Sequence, residues 1–456
     1  MNTWLHLGLG SFHRAHQEYC FDRLIKAGLC TDWRFEAGNI RDDAERTVQG
    51  LLKQDLSYTL ETISPEGEAE FTTIKALSKV FPFEPGLPSL IAAGAAADTR
   101  VISFTVTEAG YYLDNELKLQ SADQAVAADL KGGVGTIYGV IAAMLKQRVK
   151  LGGAPLTLLC CDNVRENGHK FKSGLTQFLQ LQGENDLVTF LNEHCTCPNT
   201  MVDRITPRPA ATLSAEIKEK TGIDDLVPVM AESFFQWVIE DNFAAGRPAL
   251  EKADVELVKD VAPYEDAKLR ILNASHSLLA LSGVIKGYNY VFECAQDEEL
   301  SALAYHYVTE SVIPCLKGCP LNLPAYRDEV LRRFKNDHIR DTLQRICQDS
   351  FSKMIMFVKP TLLDCYRLGV DAKGVVLISA LYLNFLTLLQ AGKVPFEYQD
   401  SSFDKAWADK VLSAADPIAA YAQTRLLFGE LTENGKFLAD LRSCCALVQD
   451  FAARQA

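Results

Sequence analysis

The residues with the clearest chemical potential are an amine, an amide and an imidazole close together in the chain: Lys268, Asn273 and His276. At about 100° per residue, a helix places His276 about 80° and Asn273 about 140° from Lys268, on a face shared with leucines. Burial disfavours the charged form of a lysine and lowers its pKa, so Lys268 could accept a proton near neutral pH. The segment therefore predicts a lysine general base. An ordinary helix, with a solvent-reaching lysine and hydrogen-bonded core Asn and His, explains it equally well.

A strand, a glycine turn and a helix open the chain. Residues 3–10 are predicted as a buried strand ending in Gly8-Leu-Gly10, and residues 11–27 as an amphipathic helix. In this context Gly-x-Gly indicates a phosphate-binding turn, because Gly8 permits the tight turn and Gly10 lets the backbone approach a pyrophosphate. His13 occupies the third glycine position of the dinucleotide fingerprint, so a plain strand–helix turn that needs small residues is an equal alternative.

The end of the second predicted strand, residues 33–39, bears on the choice of cofactor. Arg41, Asp42 and Asp43 follow directly after this strand. An acid at this position binds the ribose hydroxyls of NAD, whereas an arginine accepts the 2′-phosphate of NADP. The two acids favour NAD, and NADP stays open.

Composition limits the class of protein. A chain of 456 residues is too long for one core and predicts two or three domains. The net charge of −13 argues against a nucleic-acid partner, since no basic patch would gather phosphates. The first turns are polar and no apolar run approaches ~20 residues, so neither a signal peptide nor a membrane span is expected and the cytoplasm is the expected location. A monomer is plausible, because domains of this size can bury their own cores.

The thirteen cysteines do not indicate disulfides or zinc. They are scattered through a long chain, and most are expected to be small buried hydrophobes. Cys195-Thr-Cys197 and Cys315-x3-Cys319 lack a second Cys/His pair at zinc-finger spacing, and His-Glu-x-x-His is absent. No metal site is predicted. If the protein oxidises an alcohol, a lysine must then carry the proton chemistry.

Two further apolar runs, 100–107 and 156–163, are predicted as strands buried on both faces. Polar groups at their ends, Glu108 and Asn163, lie where ligands bind in open α/β sheets, although such ends are also common loop starts. Additional strands are predicted at 227–232 and 255–261. After Pro263 the pattern becomes helical, with helices predicted at 297–312, 325–335, 339–347, 375–390, 417–428 and 435–453.

Four motifs in chain order resemble those of the polyol-specific long-chain dehydrogenases, the mannitol dehydrogenase family. They are the opening Gly8-Leu-Gly10-Ser-Phe12-His13-Arg14-Ala-His16, the strand end Cys161-Asp162-Asn163, Met201-Val202-Asp203-Arg204-Ile-Thr-Pro207, and Lys268-x4-Asn273-x2-His276. The similarity runs over essentially the whole chain. It implies an α/β plus all-α fold: a Rossmann-like NAD-binding domain over 1–260, then a mainly helical substrate domain over 261–456, with the active site in the cleft between them.

The resemblance also implies roles for individual residues. Lys268 would be the general base, Asn163 and Asn273 an oxyanion hole, His276 a group that orients the substrate, and Glu265 the gate of a proton path. The residues expected to bind substrate are Asp203, Arg345 and Lys353. Those expected to bind the cofactor are Gly8, Gly10, Phe12, His13, Arg14, Asn39, Arg41, Asp42 and Glu108. From the residues alone, Arg345 and Lys353 read as solvated surface cations and Asp203-Arg204 as a local ion pair.

The reaction that the resemblance implies is a reversible, metal-independent oxidation of a sugar alcohol to a ketose with NAD. The favoured substrate and product are D-arabinitol and D-xylulose. Oxidation of D-mannitol to D-fructose and reduction of fructuronate or tagaturonate are the alternatives within the family. A uronate would require pairing of its carboxylate, ideally with a bidentate arginine. Two more distant hypotheses are a lyase with a Schiff-base lysine and a nucleotide-binding protein without activity.

Overall fold

The computed structural model describes residues 1–114, 116–400 and 402–455 of the chain. Its contacts divide it into two compact units. The first comprises residues 1–64 and 68–262, and the second comprises residues 65–67 and 263–456. Within the described ranges, every strand lies in the first unit, and the second unit is built of helices.

The first unit contains a parallel sheet in dinucleotide-binding order. Its strands are β1 (Asn2–Leu7), β2 (Trp33–Gly38), β3 (Tyr58–Ile63), β4 (Ala69–Ile74), β5 (Leu77–Phe81), β6 (Thr99–Phe104), β7 (Leu156–Cys160), β8 (Cys195–Thr196), β9 (Thr200–Asp203), β10 (Val229–Glu232), β11 (Gln236–Glu240) and β12 (Val255–Val258). Six of them form one parallel sheet in the order β5-β2-β1-β6-β7-β8, with the topological switch point between β1 and β6. This is the 3-2-1-4-5-6 order of a Rossmann fold, so the predicted fold class is confirmed.

The central strands are apolar because both of their faces are covered. Every residue of β7 is buried, as are residues 3–7 of β1 and four consecutive residues of β6, which is why they appear in the sequence as apolar runs. Two small mixed sheets, β10-β3-β4 and β12-β11-β9, complete the strands of this unit.

The helices of the first unit include a broken one at the glycine turn. The predicted helix over 11–27 is two helices, Ser11–Ala15 and Gln17–Lys26, because His16 leaves helical geometry with φ −122° and ψ −77°. The other α-helices of this unit are Glu45–Lys53, Pro88–Ala95, Gln124–Asp129, Ile137–Lys150, Asn167–Leu181, Asn185–His194, Leu213–Thr221 and, at the boundary, Ala262–Ala267.

The second unit has α-helices at Ala274–Lys286, Val291–Gln296, Glu298–His306, Leu323–Phe334, Leu343–Cys347, Ser350–Lys353, Lys359–Leu368, Lys373–Gln390, Lys405–Leu412, Pro417–Ala422, Arg425–Phe428 and Gly435–Ala453. Three π-helical segments, at Lys268–Asn273, Tyr307–Val312 and Met354–Val358, connect helices directly. Two predicted helices are shorter than expected. The one over 339–347 begins only at Leu343, where Thr342 caps it, and the one over 417–428 is interrupted at 423–424.

The helix Lys373–Gln390 is long and apolar enough to cross a membrane by length and composition, and it is the one such helix among the described residues. Of its 18-residue window, 61% is buried inside the protein, which is typical of a core helix. All thirteen cysteines are free thiols, and all except Cys315 and Cys319 are buried, as expected for small core residues.

Candidate active site

The glycine turn after β1 has the geometry that its sequence requires. Gly8 has φ +129°, a region that side chains disfavour, and a Cβ there would lie 3.5 Å from the Thr105 carbonyl oxygen. Gly10 precedes the helix Ser11–Ala15, and a Cβ built on it would meet no atom within 4 Å. The turn therefore leaves open space above Gly10 at the switch point of the sheet, where ligands bind in such folds.

The residues that follow the turn are buried and bound within the first unit. His13 stacks on His6, with ring centroids 3.4 Å apart, and its Nε2 lies 3.0 Å from Glu18 Oε1. The Arg14 guanidinium donates to the Val227 carbonyl and lies over the Tyr58 ring. Burial lowers the pKa of His6 well below its usual range. These contacts hold the glycine turn in place, and direct cofactor contacts by His13 and Arg14 stay a prediction.

Beyond β2, polar side chains are exposed where a ribose would be expected. Asn39 Nδ2 donates to the Arg41 carbonyl at 3.0 Å and to Asp43 Oδ1 at 2.5 Å, which shapes the loop. Arg41, Asp42 and Asp43 are exposed. Phe12, on the helix after the turn, is partly buried and stacks on His16 at 4.9 Å.

Asp162 organises the ends of β6 and β7. Its Oδ1 accepts hydrogen bonds from the backbone N–H groups of Val106 and Thr107, both at 2.8 Å, and its Oδ2 accepts one from the Tyr111 hydroxyl. Thr107 has φ +62° and ψ 170°, a strained conformation for a β-branched residue. Burial raises the pKa of Asp162 to about 6, against the opposing effect of these hydrogen bonds.

Two predicted site residues flank this carboxylate. Asn163 follows Asp162 directly, and Glu108 follows Thr107; both are exposed. Asn163 and Glu108 therefore lie beside the buried Asp162 and the strained Thr107, at the carboxyl end of the sheet. This is the edge at which ligands bind in such folds.

Asp203 is buried at the end of β9, opposite Gln236 in the antiparallel register. The next residue, Arg204, is also buried. It donates to the carbonyls of Glu232 and Ala15 at 2.9 and 2.6 Å, and burial lowers its pKa to about 10.

In the second unit, Lys268 and Asn273 begin and end a single π-helical segment. Lys268 is 6% exposed and Glu265, on the preceding turn, is also buried. An i→i+5 turn takes up more residues than an α-turn, so the angles derived from 100° per residue are wrong for this segment. The Oδ1 atom of Asn273 is buried and has no hydrogen-bond partner among the described residues. A buried amide oxygen without a donor is an acceptor that a substrate hydroxyl could satisfy.

Two contacts anchor the π-helical segment. Arg270, 9% exposed, forms an ion pair with Asp364 at 2.6 Å, and its carbonyl accepts a hydrogen bond from the Tyr307 hydroxyl at 2.9 Å. Tyr307 opens the second π-helical segment and Asp364 lies on the helix Lys359–Leu368. The geometry of Lys268 thus depends on two other elements.

His276 lies one α-helical turn beyond Asn273, among charged groups. Its Nε2 is 3.6 Å from Asp341 Oδ2, and its ring stacks on Phe334 at 4.6 Å. Burial lowers its pKa to about 3; Asp341 opposes that shift, and Arg345, Lys353 and Arg333 add to it. The imidazole is therefore neutral near pH 7.

The structure brings Arg345 and Lys353 to this same cluster. Arg345 binds Asp341 through both Nε and a terminal nitrogen, although 62% of its side chain is exposed. Lys353 Nζ donates to the carbonyls of Ile346 and Gln348, each at 2.7 Å, and burial lowers its pKa. Lys353 is therefore not the solvated surface cation that its sequence context alone would suggest, whereas Arg345 is an exposed cation paired with a buried carboxylate.

Among residues 1–114, 116–400 and 402–455, no group of three or more His, Cys, Asp or Glu side chains is placed to hold a metal ion. The clusters that do form, around Asp162 and around His276, are hydrogen-bonded and ion-paired arrangements.

Comparison with known proteins identifies the family. Residues 2–252 match the mannitol dehydrogenase Rossmann domain, and residues 260–446 match the mannitol dehydrogenase C-terminal domain. The chain belongs to the mannitol dehydrogenase family. The resemblance inferred from four short motifs is thereby confirmed over both units of the protein.

Several members of the family align over nearly the whole chain. The D-arabinitol 4-dehydrogenase of Klebsiella pneumoniae is 49% identical over 98% of each chain, and that of Ralstonia nicotianae is 45% identical over 98% of this chain and 97% of its own. A solved structure of Pseudomonas fluorescens mannitol 2-dehydrogenase, a ternary complex with NAD and D-mannitol, has a TM-score of 0.85 at 31% identity, covering 100% of this chain and 93% of that one.

Two features of the site have little signal in the sequence. Asp341 is a single carboxylate outside every motif, and only its position just before the capping Thr342 marks it. Asp162 belongs to the motif Cys161-Asp162-Asn163, but only Asn163 was assigned a role from the sequence. A buried acid that directly follows an apolar strand is the one available hint, because such an acid needs hydrogen-bond donors close by.

Proposed function

We propose that this protein is an NAD-dependent polyol dehydrogenase that oxidises D-arabinitol to D-xylulose. The choice of D-arabinitol as substrate rests on sequence identity. The chain is 49% and 45% identical, over nearly full length, to two D-arabinitol 4-dehydrogenases, and 31% identical to a mannitol 2-dehydrogenase. The polar groups that the reaction needs are present in each unit: Asn163 in the first, and Lys268, Asn273 and His276 in the second.

Lys268 is the proposed general base that takes the proton from the hydroxyl being oxidised. Asn163 and Asn273 donate to the developing alkoxide, which two amides stabilise by a few kcal/mol. His276, neutral because of burial, orients the polyol through hydrogen bonds, and Glu265 passes the proton from Lys268 toward water. We propose that these groups meet in the cleft between the domains 1–260 and 261–456.

The residues of the first unit fit a dinucleotide. Bound NAD supplies the acceptor for the hydrogen that leaves the alcohol carbon. Gly8 permits the tight turn and Gly10 leaves room for the pyrophosphate, while His13 and Arg14 support the turn. Phe12 lies on the helix after the turn, and Asn39 and Glu108 lie beyond the ends of β2 and β6. Asp42 is exposed after β2, where an acid favours the ribose hydroxyls of NAD.

The arginines favour a neutral substrate over a uronate. A substrate carboxylate is best bound by a guanidinium that is not already paired with another acid. Arg345 gives its Nε and one terminal N–H to Asp341, so its charge is already paired, and Arg204 is buried with two of its donors on backbone carbonyls. A polyol needs only hydrogen bonds, which Asp203, Lys353 and the remaining N–H groups of Arg345 can supply.

We propose that the protein acts on small molecules in the cytoplasm, with neither nucleic acid nor membrane as partner; the net charge of −13 supports the absence of a nucleic-acid partner. We also propose that it is a monomer, because domains of this size can bury their own cores, and sedimentation equilibrium of the purified protein tests this oligomeric state.

A spectrophotometric panel at 340 nm tests the function directly. D-arabinitol, D-mannitol, D-fructuronate and D-tagaturonate are each assayed with NAD(H) and with NADP(H), before and after prolonged treatment with EDTA or phenanthroline. We expect the highest kcat/KM for D-arabinitol with NAD, unchanged by chelation. Faster turnover of a uronate contradicts the proposed substrate. Loss of activity on chelation that zinc restores contradicts the lysine mechanism.

A further inference from the structure

The His276 cluster contains one carboxylate that contacts two proposed site residues at once. Asp341 is 7% exposed on its side chain, and both of its oxygens bind Arg345 while one also faces His276. Oδ1 accepts from Arg345 Nε at 2.5 Å, while Oδ2 accepts from a terminal nitrogen of Arg345 and lies 3.6 Å from His276 Nε2.

The backbone around Asp341 is fixed independently of these contacts. Its N–H donates to the Ile339 carbonyl at 2.8 Å, and its carbonyl accepts from the Val291 N–H at 3.0 Å. The next residue, Thr342, forms an isolated bridge with Tyr290 and caps the helix that carries Arg345. A carboxylate held this firmly can determine where its partners lie, because it has little freedom to follow them.

The contact with His276 is electrostatic, since 3.6 Å exceeds the length of a hydrogen bond. A neutral imidazole has one N–H, and a carboxylate that faces Nε2 favours the tautomer with the proton on that nitrogen. Nε2 itself is buried and makes no hydrogen bond among the described residues, so Asp341 is the charged group that it faces. Nδ1 is then an acceptor. An acceptor nitrogen suits a polyol, whose hydroxyls can all donate.

We propose that Asp341 is a positioning residue for polyol binding: it holds His276 in the Nε2–H tautomer and aligns the Arg345 guanidinium with the substrate hydroxyls. The inference rests on the proposed function and deepens it. Asp341 touches no substrate in this scheme and acts only through its two neighbours.

The kinetic test compares Asp341→Asn and Asp341→Glu with the wild type on the polyol that the wild type oxidises. Asn keeps the size of Asp but loses its charge and one acceptor. We expect KM for the polyol to rise about 10–100-fold, in line with lost charge-assisted hydrogen bonds, while the dissociation constant of NADH stays within about two-fold. Glu retains the carboxylate and should restore part of the loss.

Asp297→Asn is the matched control, because it removes another largely buried carboxylate of the second unit, one that holds Lys286 and Tyr288. We expect it to lower thermal stability and leave the polyol KM within about two-fold. If Asp341→Asn behaves like Asp297→Asn, Asp341 is only structural and the inference is wrong.

The tautomer is measured separately by ¹⁵N NMR of histidine-labelled wild-type protein. The signals of His276 are those that disappear from the spectrum of His276→Gln. A protonated Nε2 is expected, and a protonated Nδ1 overturns the inference even if the Asp341 variants fail to fold. A wild-type protein that oxidises no polyol would overturn the proposed function instead, while the NMR result would still decide the tautomer.

Discussion

Lys268 is the residue whose removal should separate chemistry from cofactor binding. It is 6% exposed and lies on the π-helical segment of the second unit, away from the glycine turn in sequence. We expect Lys268→Ala to lower kcat by about 10²–10⁴-fold, because the proton acceptor is lost. NADH binding, measured by fluorescence titration, should stay nearly unchanged, and small primary amines should restore part of the rate.

The control for this prediction is Lys286→Ala, which removes a lysine that is paired with Asp297 and Glu299. It should affect stability more than turnover. A Lys268→Ala variant with the wild-type rate, or one whose rate amines do not raise, would exclude Lys268 as the base.

Asp162 should affect stability with a pH dependence opposite to that of most acids. Its pKa is raised by burial from an ordinary 3.8 to about 6. Between these two values the folded protein keeps a proton that the unfolded chain has lost, so the free energy of unfolding falls as pH rises. Relative to Asp162→Asn, the wild type should lose up to about 3 kcal/mol between pH 4 and 6.5, as measured by urea unfolding.

Asp241→Asn provides the comparison, because the pKa of Asp241 is lowered by its hydrogen bond from Arg247. A lowered pKa contributes stability that is lost only below the ordinary value, so this variant should differ from the wild type by a constant amount over the same pH range. A constant difference for Asp162→Asn as well would show that the buried acid does not titrate near pH 6.

At the scale of elements, the strands around the switch point were predictable and the π-helical segments were not. β6 and β7 are buried on both faces, so their apolar runs stand out in the sequence. β4 is largely exposed and shows no such run, and β3, β9 and β11 belong to small mixed sheets whose pairing is non-local.

The same reasoning explains why candidate site residues could be selected from the sequence while their geometry could not be predicted. Lys268, Asn273 and His276 could be recognised by type and spacing, because the motif is local. An i→i+5 turn depends on contacts such as those that Arg270 makes with Asp364 and Tyr307, which lie far away in the chain. Asp341 acts through partners on other elements, so no local pattern marks it.

The anchoring of the π-helical segment can be tested with two arginines that share one carboxylate. Asp364 binds Arg270, which is 9% exposed, and Arg367, which is 68% exposed. Arg270→Met removes the buried cation that pairs with Asp364. It should lower the free energy of unfolding by about 3 kcal/mol or more. Arg367→Ala should cost less than about 1 kcal/mol.

Activity gives the second readout of this pair. Because Lys268 lies on the segment that Arg270 anchors, Arg270→Met should also lower kcat, measured at saturating NAD and polyol, whereas Arg367→Ala should not. Equal effects of the two substitutions on unfolding and on kcat would show that the segment keeps its shape without the Arg270–Asp364 ion pair.

At the scale of the whole molecule, the proposed reaction requires both units. Asn163 belongs to the first unit and Asn273 to the second, and both are proposed to donate to the same alkoxide. Each single change to Ala should then lower kcat by about 10²–10³-fold, as for other lost oxyanion donors. The double change should cost less than the product of the two, because groups that act on one atom of one transition state are not independent.

The matched control pairs Asn163→Ala with Asp297→Asn, a change in the second unit that is not assigned to the reaction. These two effects on kcat should multiply, since sites without a shared partner are additive in free energy. The contrast between the two double variants isolates coupling through the substrate from any general loss of stability. Two asparagine losses that multiply fully, or that alter KM alone, would mean that Asn163 and Asn273 do not stabilise the same oxygen.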